Sequence, residues 1–272
     1  MLKAIGSGNY GRVYQVADYE GNIRAIKISE DLISITNEYR GMMELKNYSF
    51  IPAVYDFDDF RLGNKTYYFI VMDYIDGYNL RKIRDKVDLN VKRILRIGLI
   101  LVSMMEKISR LGYKYTDIKL DNIVIDRKGK IYIVDFGSLV KRTMPTKEYT
   151  PAYNINSWDF KYKHSPTLAS LFSITMIMVS LISGKEYNPL KYDLDYIIKE
   201  IQRFPVDSSI KCFLIGGLKG RLSDYHLYYK SLSSLLLGKE NKSSLSKIDY
   251  LLIISIVSFV FILILGIKTM LT

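Results

Sequence analysis

The sequence predicts an α+β protein of two lobes, strand-rich first and helix-rich second, followed by one C-terminal transmembrane helix. Three patterns carry that expectation. Over most of the first 74 residues apolar and polar side chains alternate with period two, as half-buried strands do. Between Leu89 and Arg110, apolar residues recur at Ile94, Ile97, Leu101, Met104, Met105 and Ile108, the spacing of one helix face. From Tyr250 to Ile267 the chain carries no charge over eighteen residues, about 27 Å of helix, which matches the hydrocarbon thickness of a bilayer.

The elements follow in order. Ile5 to Ile28 alternates, breaks at Glu20-Gly21-Asn22 and alternates again, which predicts a hairpin with a third strand. Ile35–Leu45 reads as helix. Phe50–Phe57 and Lys65–Tyr74 read as strands around the turn Leu62-Gly63-Asn64, with a hinge near Tyr74–Tyr78. After the Leu89–Arg110 helix come two short strands, Ile123–Ile125 and Ile131–Val134, split by Asp126-Arg127-Lys128-Gly129. Leu168–Ser183 is a strongly apolar helix ended by Gly184. Its interspersed Ser and Thr favour a core helix over a second membrane span. Ser231–Lys247 is rich in Ser and Lys and reads as a linker. The domain expectation is therefore 1–237 for the globular part (lobes about 1–74 and 78–237), 238–249 for the linker, 250–267 for the membrane helix and 268–272 for a short tail.

Composition narrows the function. Of 272 residues 49% are hydrophobic, which is enough for a full core and argues against wholesale disorder. The net charge of +11 favours anionic partners, but no basic block is long enough to read as a nucleic-acid tail. No nucleic-acid partner is expected. The lone cysteine, Cys212, has no internal partner and is expected to be a buried structural thiol among apolar neighbours. His164 and His226 suggest neither metal nor triad chemistry, and Trp158 reads as packing. Lys239, Lys242 and Lys247 precede the uncharged stretch and Lys268 follows it. That bias predicts a single-pass, C-terminally anchored membrane protein with its globular part facing the cytoplasm.

Three constellations carry chemistry. Gly6-Ser7-Gly8-Asn9-Tyr10-Gly11-Arg12-Val13 is a G-x-G-x-x-G-x-V run, in which glycines let backbone approach phosphates. Strand-like residues follow it, not a helix, which argues against a dinucleotide site; a plain hairpin is the competing reading. Ala25-Ile26-Lys27 places a lysine in an apolar strand, where it needs an anionic partner. Asp117-Ile118-Lys119-Leu120-Asp121-Asn122 places a base that can accept a hydroxyl proton near a cation and an amide. Asp135-Phe136-Gly137 then ends a strand with a carboxylate suited to a hard ion.

In this order and spacing the sequence resembles the eukaryotic-like (Hanks-type) Ser/Thr protein kinase family, over roughly residues 2–237. The resemblance implies a β-rich lobe and a helical lobe with ATP in the cleft. Gly6, Gly8 and Gly11 would cover the ATP phosphates, with Val13 and Ala25 in the same pocket. Lys27 would contact the α- and β-phosphates and pair with a helix glutamate, Glu38, with Glu44 as the alternative. Met72 would back the adenine pocket, and Asp73 to Ile75 would offer backbone hydrogen bonds to adenine. Asp117 resembles the catalytic base. Asn122 and Asp135 resemble the ligands of magnesium, with manganese as the alternative ion. Lys119 implies a protein substrate with a Ser/Thr acceptor.

The chain departs from the family pattern at several points. Tyr115-Thr116 replace His-Arg before the catalytic Asp, which puts activation by loop phosphorylation in doubt. Thr143, Thr146 and Thr150 lie in the activation segment. Thr150-Pro151-Ala152-Tyr153 resembles the substrate-contacting stretch, but Ile155-Asn156-Ser157 replace Ala-Pro-Glu. Arg221 stands where the partner of the missing Glu is expected, and Ser170 takes the place of a buried Asp. The leading expectation is a membrane-anchored Ser/Thr kinase. A membrane-tethered pseudokinase scaffold and a lipid or small-molecule kinase are the alternatives. Oligomeric state is left open.

Overall fold

A computed structural model describes residues 3–8, 11–146, 148–158 and 165–237. Met1–Leu236 forms one compact unit. The linker and the uncharged stretch belong to a second, Leu237–Thr272, of which only Leu237 is among the described residues.

The first lobe is a five-stranded antiparallel sheet. Its strands are β1 (Lys3–Gly8), β2 (Gly11–Ala17), β3 (Ile23–Ser29), β4 (Val54–Leu62) and β5 (Lys65–Asp73), in the order β1-β2-β3-β5-β4. The two turns read from sequence are there. Gly21 and Gly63 have φ of 86° and 60°, a region open to glycine without steric cost. β4 starts later than the alternation suggests, at Val54, just beyond Pro52, which has no N–H for a ladder. Helix α1 (Leu32–Glu44) crosses between β3 and β4. The Asp31 carboxylate caps it by accepting from the N–H groups of Ile33 (3.0 Å) and Ser34 (3.1 Å).

The second lobe starts with β6 (Gly77–Asn79) and α2 (Leu80–Lys86), neither of which has a clear periodic signal. Helix α3 (Val91–Arg110) buries all six residues of the predicted stripe. Strands β7 (Tyr113–Tyr115), β8 (Ile123–Asp126), β9 (Ile131–Ile133) and β10 (Leu139–Lys141) make two small antiparallel sheets, β6-β8-β9 and β7-β10. A 3₁₀ turn at Leu120–Asn122 leads into β8, and two more span Pro151–Tyr153 and Ile155–Ser157. Helix α4 (Pro166–Ser183) follows, then α5 (Leu194–Arg203), α6 (Ser208–Leu218) and α7 (Tyr225–Leu236).

Helix α4 is the hub of this lobe. Every residue from Ser170 to Leu181 is buried. Ser165 caps its start, Pro166 occupies the first turn, and Gly184 ends it at φ 72°. Among the described residues α4 alone is long and apolar enough to cross a membrane, yet two-thirds of it is buried inside the fold, as a core helix is. Thr175 Oγ1 donates to Leu171 O (2.8 Å) and meets the Tyr228 hydroxyl at 2.7 Å, whereas the buried Ser180 hydroxyl has no hydrogen-bond partner among the described residues.

Two expectations change here. Cys212 is exposed, not buried. Its apolar neighbours in sequence, Phe213 and Leu214, turn inward with Ile210 and Gly217, and the 3.6-residue period leaves position 212 outside. Ser231–Leu236, read as linker, are the last turns of α7, where Leu232 is buried.

Two glycines test the packing. A Cβ at Gly77 would collide with the Ile125 carbonyl, whereas one at Gly216 would meet nothing within 4 Å. Gly77→Ala is expected to cost about 1–3 kcal/mol. Gly216→Ala should be neutral or stabilising by up to about 1 kcal/mol. Thermal denaturation should show a lowered Tm for Gly77→Ala and an unchanged or raised Tm for Gly216→Ala.

Candidate active site

The cleft side chains come from both lobes. The β3 register pairs Lys27 with Val13 on one side and Ala25 with Met72 on the other, so these residues are adjacent on the sheet. Gly6, Gly8 and Gly11 lie where β1 and β2 meet, Gly8 opposite Gly11, with the tip Asn9–Tyr10 outside the described residues. Gly11 has its own packing reason to lack a side chain: a Cβ there would stand 2.6 Å from Ile28 O. The Asp73 N–H is committed to Ala53 O (2.9 Å). Its carboxylate binds Ala53 N (3.0 Å) and the Tyr55 hydroxyl (2.6 Å), so only its carbonyl is a candidate adenine contact. Ile75 follows on an irregular stretch, Tyr74–Asp76.

Lys27 and Glu38 form a buried ion pair, which selects Glu38 over Glu44. Asp135 Oδ2 stands 4.0 Å from the same ammonium. Burial pushes Glu38 up to about 7, and Asp135 and Glu148 reinforce the shift against the pull of Lys27. Burial opposes the charge on Lys27, but Glu38, Asp135 and Glu148 outweigh it and raise its pKa. One ammonium thus sits in the field of three carboxylates. Helix α1 reaches this place because Gly41 is small: a Cβ there would stand 3.2 Å from Phe136 O.

Asp117 is held on every side. Thr150 donates to its Oδ1 (2.7 Å), Lys119 pairs with its Oδ2 (2.6 Å), and Ser138 Oγ accepts from its N–H (3.2 Å). The Asn122 amide nitrogen donates to Asp117 O (3.0 Å) and Oδ2 (3.2 Å). That assignment commits the nitrogen and points the carboxamide oxygen the other way. Asp121, between these residues, is clamped bidentately by Arg81 at 2.7 Å, and Arg81 pairs in turn with Glu186.

The divergent residues have defined partners, which the sequence alone did not indicate. The Tyr115 ring packs near Phe136 (centroids 6.3 Å apart), and its hydroxyl meets Asn122 at 3.1 Å. Burial, with Asp135 and Asp117, pushes that hydroxyl well above its ordinary range, so it stays neutral. The single Thr116 hydroxyl proton is placed between two carbonyls of the segment beyond Phe136, with Glu148 O the nearer (2.7 Å) and Ser138 O at 3.1 Å. Thr116 therefore ties the activation segment down through neutral hydrogen bonding at the position where an arginine was expected. Ser170 bonds back to Pro166 O in its own helix, while Ser173 reaches Tyr153 O (2.7 Å). Behind Tyr115-Thr116 remains a cavity of about 80 Å³, lined also by Lys114, Asn156 and Ser170. Arg221 is exposed and makes no ion pair among the described residues. The Ile155–Ser157 turn is held instead by burial of Ile155 and Trp158. His226 is exposed and His164 lies outside the described residues.

Among the described residues no cluster of three His, Cys, Asp or Glu could hold a metal by itself. One carboxylate and one amide oxygen, Asp135 and Asn122, nonetheless fit a small hard ion that takes its other ligands from phosphates and water.

The protein kinase domain family matches residues 1–216. The chain is 27% identical over 227 residues to serine/threonine-protein kinase YabT of Bacillus subtilis, covering 81% of this chain and 66% of that protein. It is 30% identical over 150 residues to human Citron Rho-interacting kinase (50% of this chain, 7% of that protein). It is 29% identical over 153 residues to mouse myotonin-protein kinase (52% and 23%). The chain thus spans just under two thirds of the length of YabT and a small part of the other two. It belongs to the protein kinase domain family.

The Thr116 latch is open to test. Thr116→Val removes the one hydroxyl donor that faces Glu148 O and Ser138 O, a loss of about 1–3 kcal/mol. Amide exchange across residues 138–150 should accelerate about tenfold or more, whereas Thr116→Ser should keep the protection. Unchanged exchange in the valine variant would show that the segment is held by other means.

Proposed function

We propose that this chain transfers the γ-phosphoryl group of ATP to a Ser or Thr hydroxyl of a protein and is anchored to a membrane by residues 250–267. The supporting observation is the pairing of two assembled halves: Asp117 held by Lys119, Thr150 and Asn122, and Lys27 paired with Glu38 beside Asp135. A scaffold that binds without reacting has no physical need for both.

In this reading Gly6, Gly8 and Gly11 cover the phosphates, Val13, Ala25 and Met72 line the adenine pocket, and Lys27 grips the α- and β-phosphates. Asp117 orients the acceptor hydroxyl and accepts its proton; Lys119 stabilises charge on the group in transfer. Magnesium, held by Asn122 and Asp135, would neutralise phosphate charge. Catalysis is then positioning with electrostatic stabilisation. The anchor rests on eighteen uncharged residues, and the cytoplasmic orientation on the lysines before them.

The test uses the full chain in neutral-lipid vesicles with magnesium and ATP, and offers protein and lipid acceptors. Asp117→Asn is expected to lower transfer by about 10²–10⁴-fold, the scale of general-base catalysis. Asp135→Asn should also lower it. ATP binding without transfer in the wild type would favour the scaffold, and transfer to lipid alone a lipid kinase. Deleting 250–267 should move the protein to the soluble fraction; retention on membranes would rule these residues out as the sole anchor.

A further inference from the structure

A second concave feature lies apart from the catalytic cluster. α3, the Gly129–Ile131 turn, Ser49–Phe50 and α7 enclose an open groove of about 370 Å³. That volume lies in the range of small-molecule sites. Its apolar lining includes Phe50, Leu99, Ile100, Met104 and Tyr229, and folding leaves Ile100 and Tyr229 40% and 41% exposed. Lys107 and Lys130 stand in the same lining, which contains no carboxylate. Neither ammonium has an ion pair among the described residues; Lys130 lies only over the Tyr132 ring, at 4.5 Å. An uncovered apolar floor beside two uncompensated cations complements a molecule with an apolar body and one anionic end.

The groove also borders the joint between the lobes. The Phe50 carbonyl accepts the Ile133 N–H at 3.1 Å. Phe50 lies six residues beyond the end of α1, which carries Glu38, and Ile131 opens β9, which ends at Ile133, two residues before Asp135. A molecule seated here touches the chain on both sides of that hydrogen bond.

We propose that this groove binds a single-chain anionic amphiphile, its charged end at Lys107 and Lys130 and its alkyl chain over Phe50, Leu99 and Met104. A free fatty acid and a lysophospholipid with an acidic headgroup share this chemistry. Occupancy braces Phe50 against Ile131 and so supports the placement of Glu38 relative to Asp135.

Binding can be read without any phosphotransfer assay. The full chain in phosphatidylcholine vesicles is exposed to a photoreactive dodecanoate, and the adducts are mapped by mass spectrometry. Adducts are expected within residues 99–107 or 129–131, displaced by dodecanoate or lysophosphatidate but not by dodecanol. Displacement by dodecanoate alone assigns a fatty acid, and by lysophosphatidate alone a lipid headgroup. Charge reversal by Lys107→Glu with Lys130→Glu should cut labelling about tenfold or more, the scale of one lost charge-assisted contact. The double Arg variant should keep it. Both lysines are exposed, so the fold is retained. Equal displacement by dodecanol, labelling that survives charge reversal, adducts elsewhere, or displacement only by an acidic peptide would each overturn the proposal.

Discussion

The buried ion pair between Lys27 and Glu38 is the constraint on which the rest of the site depends. It joins the β3 strand to α1, and through Asp135 it reaches the irregular segment that follows β9. Losing one partner of such a pair leaves an uncompensated buried charge, which is far more costly than losing an exposed contact. The surroundings are shaped to hold α1 where the pair requires it. Asp31 fixes the start of the helix, Gly41 lets it approach Phe136, and Phe50 pins the following segment to Ile133. The excess of carboxylates around Lys27 also gives the cleft a local demand for positive charge, against the basic balance of the whole chain.

Around that pair the framework is built largely from neutral hydrogen bonds. Thr116, Tyr115, Ser138 and Ser173 each connect the catalytic loop, the activation segment or α4 through a hydroxyl. A hydroxyl bonded to a carbonyl needs no counter-ion and carries little desolvation penalty once paired. It also depends less on pH and salt than an arginine held by a phosphate would. The cavity beside Ser170 fits the same pattern: a short side chain stands where a longer acidic one would fill the space.

How much of this was legible in the sequence depends on whether a feature is periodic, local or long-range. The strands, the α3 stripe and the α4 core helix were readable because period and turn glycines are local properties. The pairing of Lys27 with a helix glutamate was implied by the family resemblance, which left Glu44 open beside Glu38. Short elements such as β6, β7, β10 and α2 were not readable, since three to seven residues hold too little periodicity. Nor were the partners of Thr116 and Thr150, because they depend on contacts between residues about thirty positions apart. Cys212 shows the opposite error. Neighbours in sequence suggested burial, but on a helix it is positions three and four away that share a face. Residues 238–272, with the whole membrane expectation, lie outside the described residues.

That exposed cysteine has a chemical consequence. It is the only thiol in 272 residues and it stands on the outer face of α6. Any disulfide this chain forms must therefore join it to another molecule, through the helical lobe. The same position gives the chain a single address for thiol-directed labels. A spectroscopic reporter can be placed there on the native sequence, on a lobe whose core it leaves intact.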